Sequence, residues 1–384
     1  MDPLVLASLN RAVVFFMTRS DIFTAFTRPL FWMAHMLPIY RQRDGVNTKT
    51  KNQEVFRKSS DALQRNRGIL IFGEGVTDDV FIRRLKPIKK GALRIGFTAL
   101  EACNWKRDIY LATAACNYSN PSEFRSDILI RNSNKIRLND FKSEYQANSN
   151  KIIQELTVKL ENTLKNDLIH VNNEADAEFT ERLLLIQRKG MPKFIEANEG
   201  LGERWAFTKK LVDDFNLNTE KYAELKAPMN TYFSKLEKRG LNDQEFYDAN
   251  YNAIGFKDLL KRLILLPLSI FGAFHCGIFY ILTKGYVEAN FKRPVFWGST
   301  KLVMMMFIAG FLNLSVFFLL PEYIGTWGTL LYFLAIPIAG CVFHDLVSFT
   351  KRFGRERKIH SMNVSDLLKE RLTLKENIVA IVSI

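Results

Sequence analysis

The fold of the first part of the chain is predicted from residues 68–77, Gly-Ile-Leu-Ile-Phe-Gly-Glu-Gly-Val-Thr. The apolar half of this stretch is typical of a buried strand. Its second half places Glu74 between Gly73 and Gly75. Glycines beside a strand end let the backbone approach a ligand closely, and a carboxylate there can orient a hydroxyl group. A plain β-turn with a solvent-exposed Glu74 is the alternative.

Short apolar runs and segments with helical spacing alternate on both sides of this strand. The patterns predict strands at residues 12–17, 68–72, 109–115 and 127–130, and helices at residues 21–35, 49–64 and 91–103. Alternating strands and helices indicate an α/β layered domain. Residues 142–256 are rich in Lys, Glu, Asn and Leu with helical periodicity, which predicts a helical extension.

A dense run of cations follows the glycine-flanked Glu74. Residues 83–94 hold six Lys or Arg side chains in twelve positions and lead into a predicted helix start. Cations beside a helix N-terminus can form a phosphate site, and a basic surface for anionic lipid is the alternative. Upstream, an apolar strand is predicted to end in Arg41, whose guanidinium suits bidentate phosphate contact, although a lone Arg is also an ordinary surface charge.

The overall charge and composition point to an anionic partner and an apolar phase. The chain carries 54 Lys and Arg against 40 Asp and Glu, together with 31 Phe. A membrane supplies both the anionic and the apolar component. No interleaved aromatic platform accompanies the basic residues, so we expect anionic membrane lipid and no nucleic acid as partner. The four widely spaced cysteines predict neither a metal centre nor a disulfide scaffold, and they favour a reducing compartment.

Three stretches without any Asp, Glu, Lys or Arg lie near the C-terminus, at residues 263–283, 302–321 and 323–343. Each has about the ~20 residues that a membrane-crossing helix needs. A very buried helical bundle is the alternative. Basic flanks place the outer ends of the second and third stretches in the cytoplasm. The first stretch has basic residues at both ends, so a full span and a re-entrant or interfacial segment all stay open.

These features predict four parts: an α/β domain at 1–141, a helical extension at 142–256, a membrane domain of two or three helices at 257–350 and a basic cytoplasmic tail at 351–384. The localisation expected from them is an integral membrane protein whose first domain lies on the cytoplasmic face, as in a bacterial inner membrane.

The motif set resembles that of the glycerolipid acyltransferases of the lysophosphatidic acid and glycerol-3-phosphate acyltransferase type. That family has a first block Asn-His-x-x-x-x-Asp, matched here by Asp2, and a second block ending in Arg, matched by Arg41. Its third block, Phe-Pro-Glu-Gly, resembles residues 72–75, with Gly73 in the Pro position. Its fourth block is an apolar strand containing Pro, and residues 109–118 resemble it with Thr113 in that place.

The resemblance implies transfer of a fatty acyl group from acyl-CoA or acyl-carrier protein to glycerol-3-phosphate or a lysophosphatidate. It implies catalytic roles for Asp2 and Glu74. Acceptor and phosphate binding is implied for Arg41, Gly73, Gly75, Lys89 and Lys90. No metal and no bound cofactor is implied.

The first block is incomplete in this sequence. Its His would lie five residues before Asp2, and none of the five histidines of the chain stands five positions before an Asp. We therefore expect either a start upstream of Met1 or an N-terminal truncation at the first motif. Loss of a general base typically costs ~10²–10⁴ in rate, so a chain without it is expected to be nearly inactive. The alternative function is a catalytically dead membrane-bound scaffold or lipid-binding module of the same fold.

Overall fold

The structure is a computed structural model that describes residues 2–9, 13–25, 27–40, 48–75, 79–121, 123 and 125–382, with backbone only for residues 2–4 and 48–52. The chain forms two compact units. The first unit comprises residues 1–77, 83–118 and 128–172, and the second comprises residues 78–82, 119–127 and 173–384. The four-part division drawn from the sequence stays a prediction.

The first unit is built around a parallel sheet of three strands in the order β2-β1-β3. These strands are β1 (Val14–Arg19), β2 (Met36–Ile39) and β3 (Gly68–Leu70), with Arg19 paired to Ile39 and Phe16 paired to Leu70. The helices that precede and connect them are α1 (Asp2–Leu9), α2 (Arg28–Met33) and α3 (Thr48–Gln64). Parallel strands require such crossover connections, and all their carboxyl ends meet at one edge of the sheet.

The helix predicted over residues 21–35 is two shorter pieces. A 3₁₀ turn covers Ser20–Ile22, and α2 starts only at Arg28. Between them Thr27 Oγ1 donates to the carbonyl of Ile22 at 2.6 Å, and Pro29 occupies the first turn of α2. Proline fits the start of a helix and not its interior, because it has no N–H to donate.

The rest of the first unit adds helices α4 (Gly91–Ala102) and α5 (Lys142–Asp167) and two small antiparallel sheets. In these sheets β4 (Tyr110–Leu111) pairs with β7 (Ile136–Arg137), and β5 (Ala114–Tyr118) pairs with β6 (Ile128–Asn132). The single strand predicted over residues 109–115 is therefore divided, because its halves have different partners. The unit is mixed and helix-rich with small sheets, and the predicted layering stays a prediction.

The core of the first unit lies between α4 and α5. Its fully buried side chains include Leu93, Phe97, Leu100, Leu156 and Leu160. A Cβ atom at Gly96 would lie 2.4 Å from Leu138 Cδ1, so a larger residue at this helix position would require the buried Leu138 side chain to shift.

The second unit contains a helical core built from α6 (Ala177–Gln187), α7 (Leu201–Leu217), α8 (Ala223–Lys238), α9 (Asp243–Tyr251) and α15 (Ser365–Ile381). Buried Arg371 donates to both carboxylate oxygens of Asp243, at 2.8 and 3.0 Å, and Tyr232 donates to the same carboxylate at 2.7 Å. This pairing compensates the cost of burying the two charges.

The same unit contains α10 (Phe256–Ile264), α11 (Leu266–Gly272), a π-helical turn (Ala273–Gly277), α12 (Ile278–Asn290), α13 (Trp297–Leu319) and α14 (Pro321–His360). In the described residues, three segments are long and apolar enough to cross a membrane: Leu266–Asn290, Pro294–Leu319 and Pro321–His360. Side chains such as Phe311 (78% exposed) are not covered by protein. The buried-bundle alternative is therefore wrong for these helices, and membrane association is compatible with them.

A buried polar group joins the three apolar segments. His275 lies in the π-helical turn, and its Nδ1 is 2.6 Å from Asn313 Oδ1 on α13. Its Nε2 is 2.6 Å from the hydroxyl of Tyr332 on α14. The amide nitrogen of Asn313 already donates to the carbonyl of Ala309, so Oδ1 accepts from His275 Nδ1–H and the Tyr332 hydroxyl donates to Nε2. In this arrangement each of the three side chains has a hydrogen-bond partner.

We expect Tyr332→Phe to lower Tm in detergent micelles by several degrees. It removes the donor to buried His275 Nε2, and an unsatisfied buried polar group costs about 1–3 kcal/mol. Tyr280→Phe is the matched control, because Tyr280 on α12 is largely exposed. Equal Tm values for the two variants in thermal denaturation would show that the network contributes no stability.

Candidate functional site

The candidate site begins at the turn that follows β3. The N–H of Gly75 donates to the carbonyl of Phe72 at 3.1 Å and closes this turn. Gly75 has φ +67°, in the left-handed region that favours glycine. A Cβ atom at Gly73 would lie 3.1 Å from Ile88 Cγ2, tighter than an ordinary contact. The two glycines are thus favoured for different reasons: Gly75 by its backbone conformation and Gly73 by the close approach of Ile88.

The basic segment at residues 83–90 lies against this turn. The N–H of Lys89 donates to the carbonyl of Gly73 at 2.9 Å, and the N–H of Lys86 donates to Glu74 Oε1 at 2.7 Å. Glu74 is half-buried. It is therefore not the solvent-exposed residue of a plain turn, because one of its carboxylate oxygens fixes the neighbouring backbone.

Two further side chains hold the same segment, and sequence analysis did not single out either of them for this role. The N–H of Leu85 donates to Nδ1 of buried His170 at 3.0 Å, and the N–H of Ile88 donates to the Glu161 carboxylate at 3.3 Å. These acceptors satisfy backbone groups that a segment without helix or strand pairing would leave unpaired. Both are more than 70 residues away along the chain, and no motif spacing signals the contacts.

Lys89 and Lys90 stand at the N-terminus of α4. A Cβ atom at Gly75 would lie 3.1 Å from Lys89 Nζ, so the ammonium group is beside the turn. Lys90 is the N-cap residue of α4, which has no side-chain cap and no acidic residue in its first turn. Positive charge at a helix N-terminus is repelled by the positive end of the helix dipole. An anion there would be stabilised by the lysine charges and by the helix dipole.

The structure therefore brings together five of the seven residues named from the sequence: Gly73, Glu74, Gly75, Lys89 and Lys90. Arg41 lies outside the described residues, although β2, which precedes it, ends at the same edge of the sheet as β3. Asp2 is the first residue of α1, and its side chain lies outside the described part of the chain.

Thr113, where the resemblance expects proline, lies between β4 and β5. Its N–H donates to Ser133 Oγ at 3.0 Å, a bond that proline could not make. Its side chain is buried, and among the described residues its hydroxyl has no hydrogen-bond partner. Nearby, buried Asn117 donates to the carbonyl of Asp167 and accepts from the N–H of Ile169, which fixes β5 against the end of α5.

No cluster of three or more His, Cys, Asp or Glu side chains that could hold a metal ion occurs in the described residues. The chemistry available at the turn is that of a carboxylate, two ammonium groups and the N-terminal N–H groups of α4. This set can bind a phosphate and orient a hydroxyl.

The fold and site together define a mixed, helix-rich protein with small sheets, a turn that holds Glu74 beside Lys89, and three helices compatible with a membrane. Residues 1–117, from α1 to β5, match the family model described as Acyltransferase. The match supports an acyltransferase family and a general acyltransferase function. No curated protein and no solved structure matches the chain.

The stability of the segment at residues 83–90 should depend on pH through Glu161. Lys165 donates to Glu161 at 2.8 Å and, with the N–H of Ile88, lowers the pKa of this carboxyl group. A carboxylate with a lowered pKa contributes stability above its unfolded pKa of about 4.3 and loses it as the pH falls through the folded value.

We therefore expect Glu161→Gln to lower Tm at pH 7, and the difference from wild type to close as the pH falls below about 4. Glu155→Gln, an exposed carboxylate on the same helix, is the control that should change Tm little at any pH. A Tm difference for Glu161→Gln that persists undiminished at pH 3 in thermal melts would contradict this linkage.

Proposed function

We propose that this protein is a membrane acyltransferase of phospholipid synthesis. It would move a fatty acyl group from acyl-CoA or acyl-carrier protein to the hydroxyl of glycerol-3-phosphate or a lysophosphatidate. The observation that carries the proposal is the Gly73–Gly75 turn, in which Glu74 is fixed by Lys86 N–H beside the ammonium group of Lys89. The acyltransferase match over residues 1–117 supports it.

The phosphate of the acceptor would bind at the start of α4. Lys89, Lys90 and the free N–H groups of the first helical turn would share its charge, and the resemblance adds Arg41 as a bidentate partner. A bound phosphate would also relieve the unfavourable placement of two cations at an uncapped helix N-terminus. The site is therefore favourable with the acceptor bound and costly without it.

The acceptor hydroxyl would be oriented by Glu74. One oxygen of this carboxylate accepts from Lys86 N–H, which fixes the direction of the group. In the mechanism implied by the resemblance, the first-block His removes the hydroxyl proton while that oxygen attacks the thioester carbonyl, and the donor thiol leaves with a proton. Asp2 would hold this His in position.

The apolar helices would keep the enzyme at the bilayer in which its lipid product dissolves. Their basic flanks favour the cytoplasmic face of a bacterial inner membrane.

Acceptor binding can be measured without catalysis. We expect Lys89→Ala to weaken binding of glycerol-3-phosphate or a lysophosphatidate about tenfold, because it removes one charge-assisted hydrogen bond. Isothermal titration of the purified chain provides the measurement. Lys106→Ala, an exposed cation beyond the other end of α4, is the matched control. Equal loss in both variants would indicate a general charge effect and would refute a phosphate site at Lys89.

The role of Glu74 can be separated from its structural bond. Glu74→Gln keeps a carbonyl oxygen for Lys86 N–H, whereas Glu74→Ala removes it. In an acyl-transfer assay we expect both variants to lose ~10²-fold or more of the parent activity, with Glu74→Gln keeping the wild-type Tm.

The activity assay also tests the alternative of a dead scaffold. A chain that binds the acceptor but transfers no acyl group would favour the lipid-binding module instead. Full activity of Glu74→Gln would refute the role assigned to its charge.

A further inference from the structure

Helix α10 has its apolar and polar residues on opposite sides. At about 100° per residue, Phe256, Leu259, Leu260, Leu263 and Ile264 cover an arc of about 140°. The complementary arc holds its charged residues: Lys257, Asp258, Lys261 and Arg262. The segregation is complete over nine residues, which is typical of a helix lying at a boundary between two phases.

The apolar side of α10 is the uncovered one. Phe256 is 78%, Leu263 65% and Ile264 69% exposed. Arg262, on the charged side, is the one residue of this helix that is partly buried, and its guanidinium lies 5.4 Å from the ring of Phe349 on α14. A surface helix of a soluble protein shows the reverse arrangement, with the apolar stripe against the core. Helix α10 therefore needs an apolar phase outside the chain.

The position of α10 along α14 identifies that phase. Just before α10, the N–H of Ile254 donates to Glu356 at 3.1 Å, and Arg352 donates to the carbonyl of Asn252. With Arg262 at Phe349, the contacts fall within residues 349–356 of α14, a rise of about 10 Å. This is where α14 leaves its apolar stretch and becomes basic. An interfacial helix buries its apolar face to a similar depth, about 5–10 Å.

The chain also breaks directly after α10. Helix α10 ends at Ile264, and α11 begins at Leu266 with Pro267 in its first turn. Pro267 has no N–H to donate back to the preceding turn, so the helical hydrogen-bond pattern is interrupted at this point. The apolar stretch predicted over residues 263–283 therefore begins inside α10, and the candidate span begins at Leu266 as a separate element.

We propose that α10 is an in-plane helix that inserts its apolar side at the boundary between anionic headgroups and acyl chains, directly before the first candidate span. Its cations, Lys257 and Lys261, then face the headgroup phosphates. This inference rests on the membrane location of the apolar helices and not on the acyltransferase activity. It also places the basic residues of α10, which precede the first candidate span, within the membrane interface.

Photocrosslinking of the full chain in vesicles tests the proposal. Benzoylphenylalanine is placed at Leu263, at Lys261 as the polar-side control, or at Phe311 as the control within a span. The vesicles contain phosphatidylcholine with a minority of phosphatidylglycerol. After illumination, lipid adducts and protein crosslinks are separated by mass spectrometry. Each variant must keep the Tm of the parent chain to be compared.

We expect a severalfold higher yield of lipid adducts from position 263 than from position 261, with phosphatidylglycerol enriched above its share of the vesicle lipid. Crosslinks from 263 to the same chain or to a second copy, without lipid adducts, would overturn the proposal. Adducts from 263 without phosphatidylglycerol enrichment would overturn its anionic part. Absence of lipid adducts from both 311 and 263 would overturn the membrane location on which it rests, leaving acceptor binding as an independent question.

Discussion

The candidate site depends on one constraint: the backbone N–H groups of residues 83–90 must find acceptors although this segment forms neither helix nor strand. Glu74, Glu161 and His170 accept from three of these N–H groups, and the carbonyl of Gly73 accepts from the N–H of Lys89. The segment is thereby held against the turn after β3, and this contact places Lys89 beside Gly75. Glu74 consequently has a structural role and a proposed chemical role, because it orders the cationic segment and would orient the acceptor.

The positive charge of the chain occurs in two different local arrangements, which its net charge does not reveal. At the start of α4 two lysines stand where a helix disfavours cations, with no capping side chain to offset them. On α10 and at the end of α14, cations instead border exposed apolar side chains. The first arrangement suits a compact phosphate, and the second suits the headgroup layer of a bilayer. A nucleic acid would satisfy the charge in both places but not the exposed apolar surface.

Local sequence predicted those features that depend on neighbours in the chain. The strand at residues 68–72, the helices at 49–64 and 91–103 and the glycine-flanked Glu74 correspond to β3, α3, α4 and the turn. Features set by tertiary pairing were missed. The strand at 109–115 is divided by partners β7 and β6, which lie downstream. The acceptors His170 and Glu161 are likewise remote in sequence, and their residue types alone indicate no role. For Asp2 and Arg41 the assignment still rests on the resemblance.

Two elements are unfavourable for comparable reasons. One is the uncapped start of α4 beside Lys89 and Lys90, and the other is the amphipathic helix α10, whose apolar side is exposed. Each is unfavourable in water alone, because one concentrates like charge at a positive dipole end and the other exposes apolar surface. Each becomes favourable when a specific component is added, a phosphate for α4 and an anionic lipid interface for α10. A bilayer containing phosphorylated glycerolipids supplies both components. The proposed enzyme, whose acceptor carries a phosphate and whose product is a lipid, would function in that environment, so the proposed anion site and the proposed membrane surface would have a common physical origin.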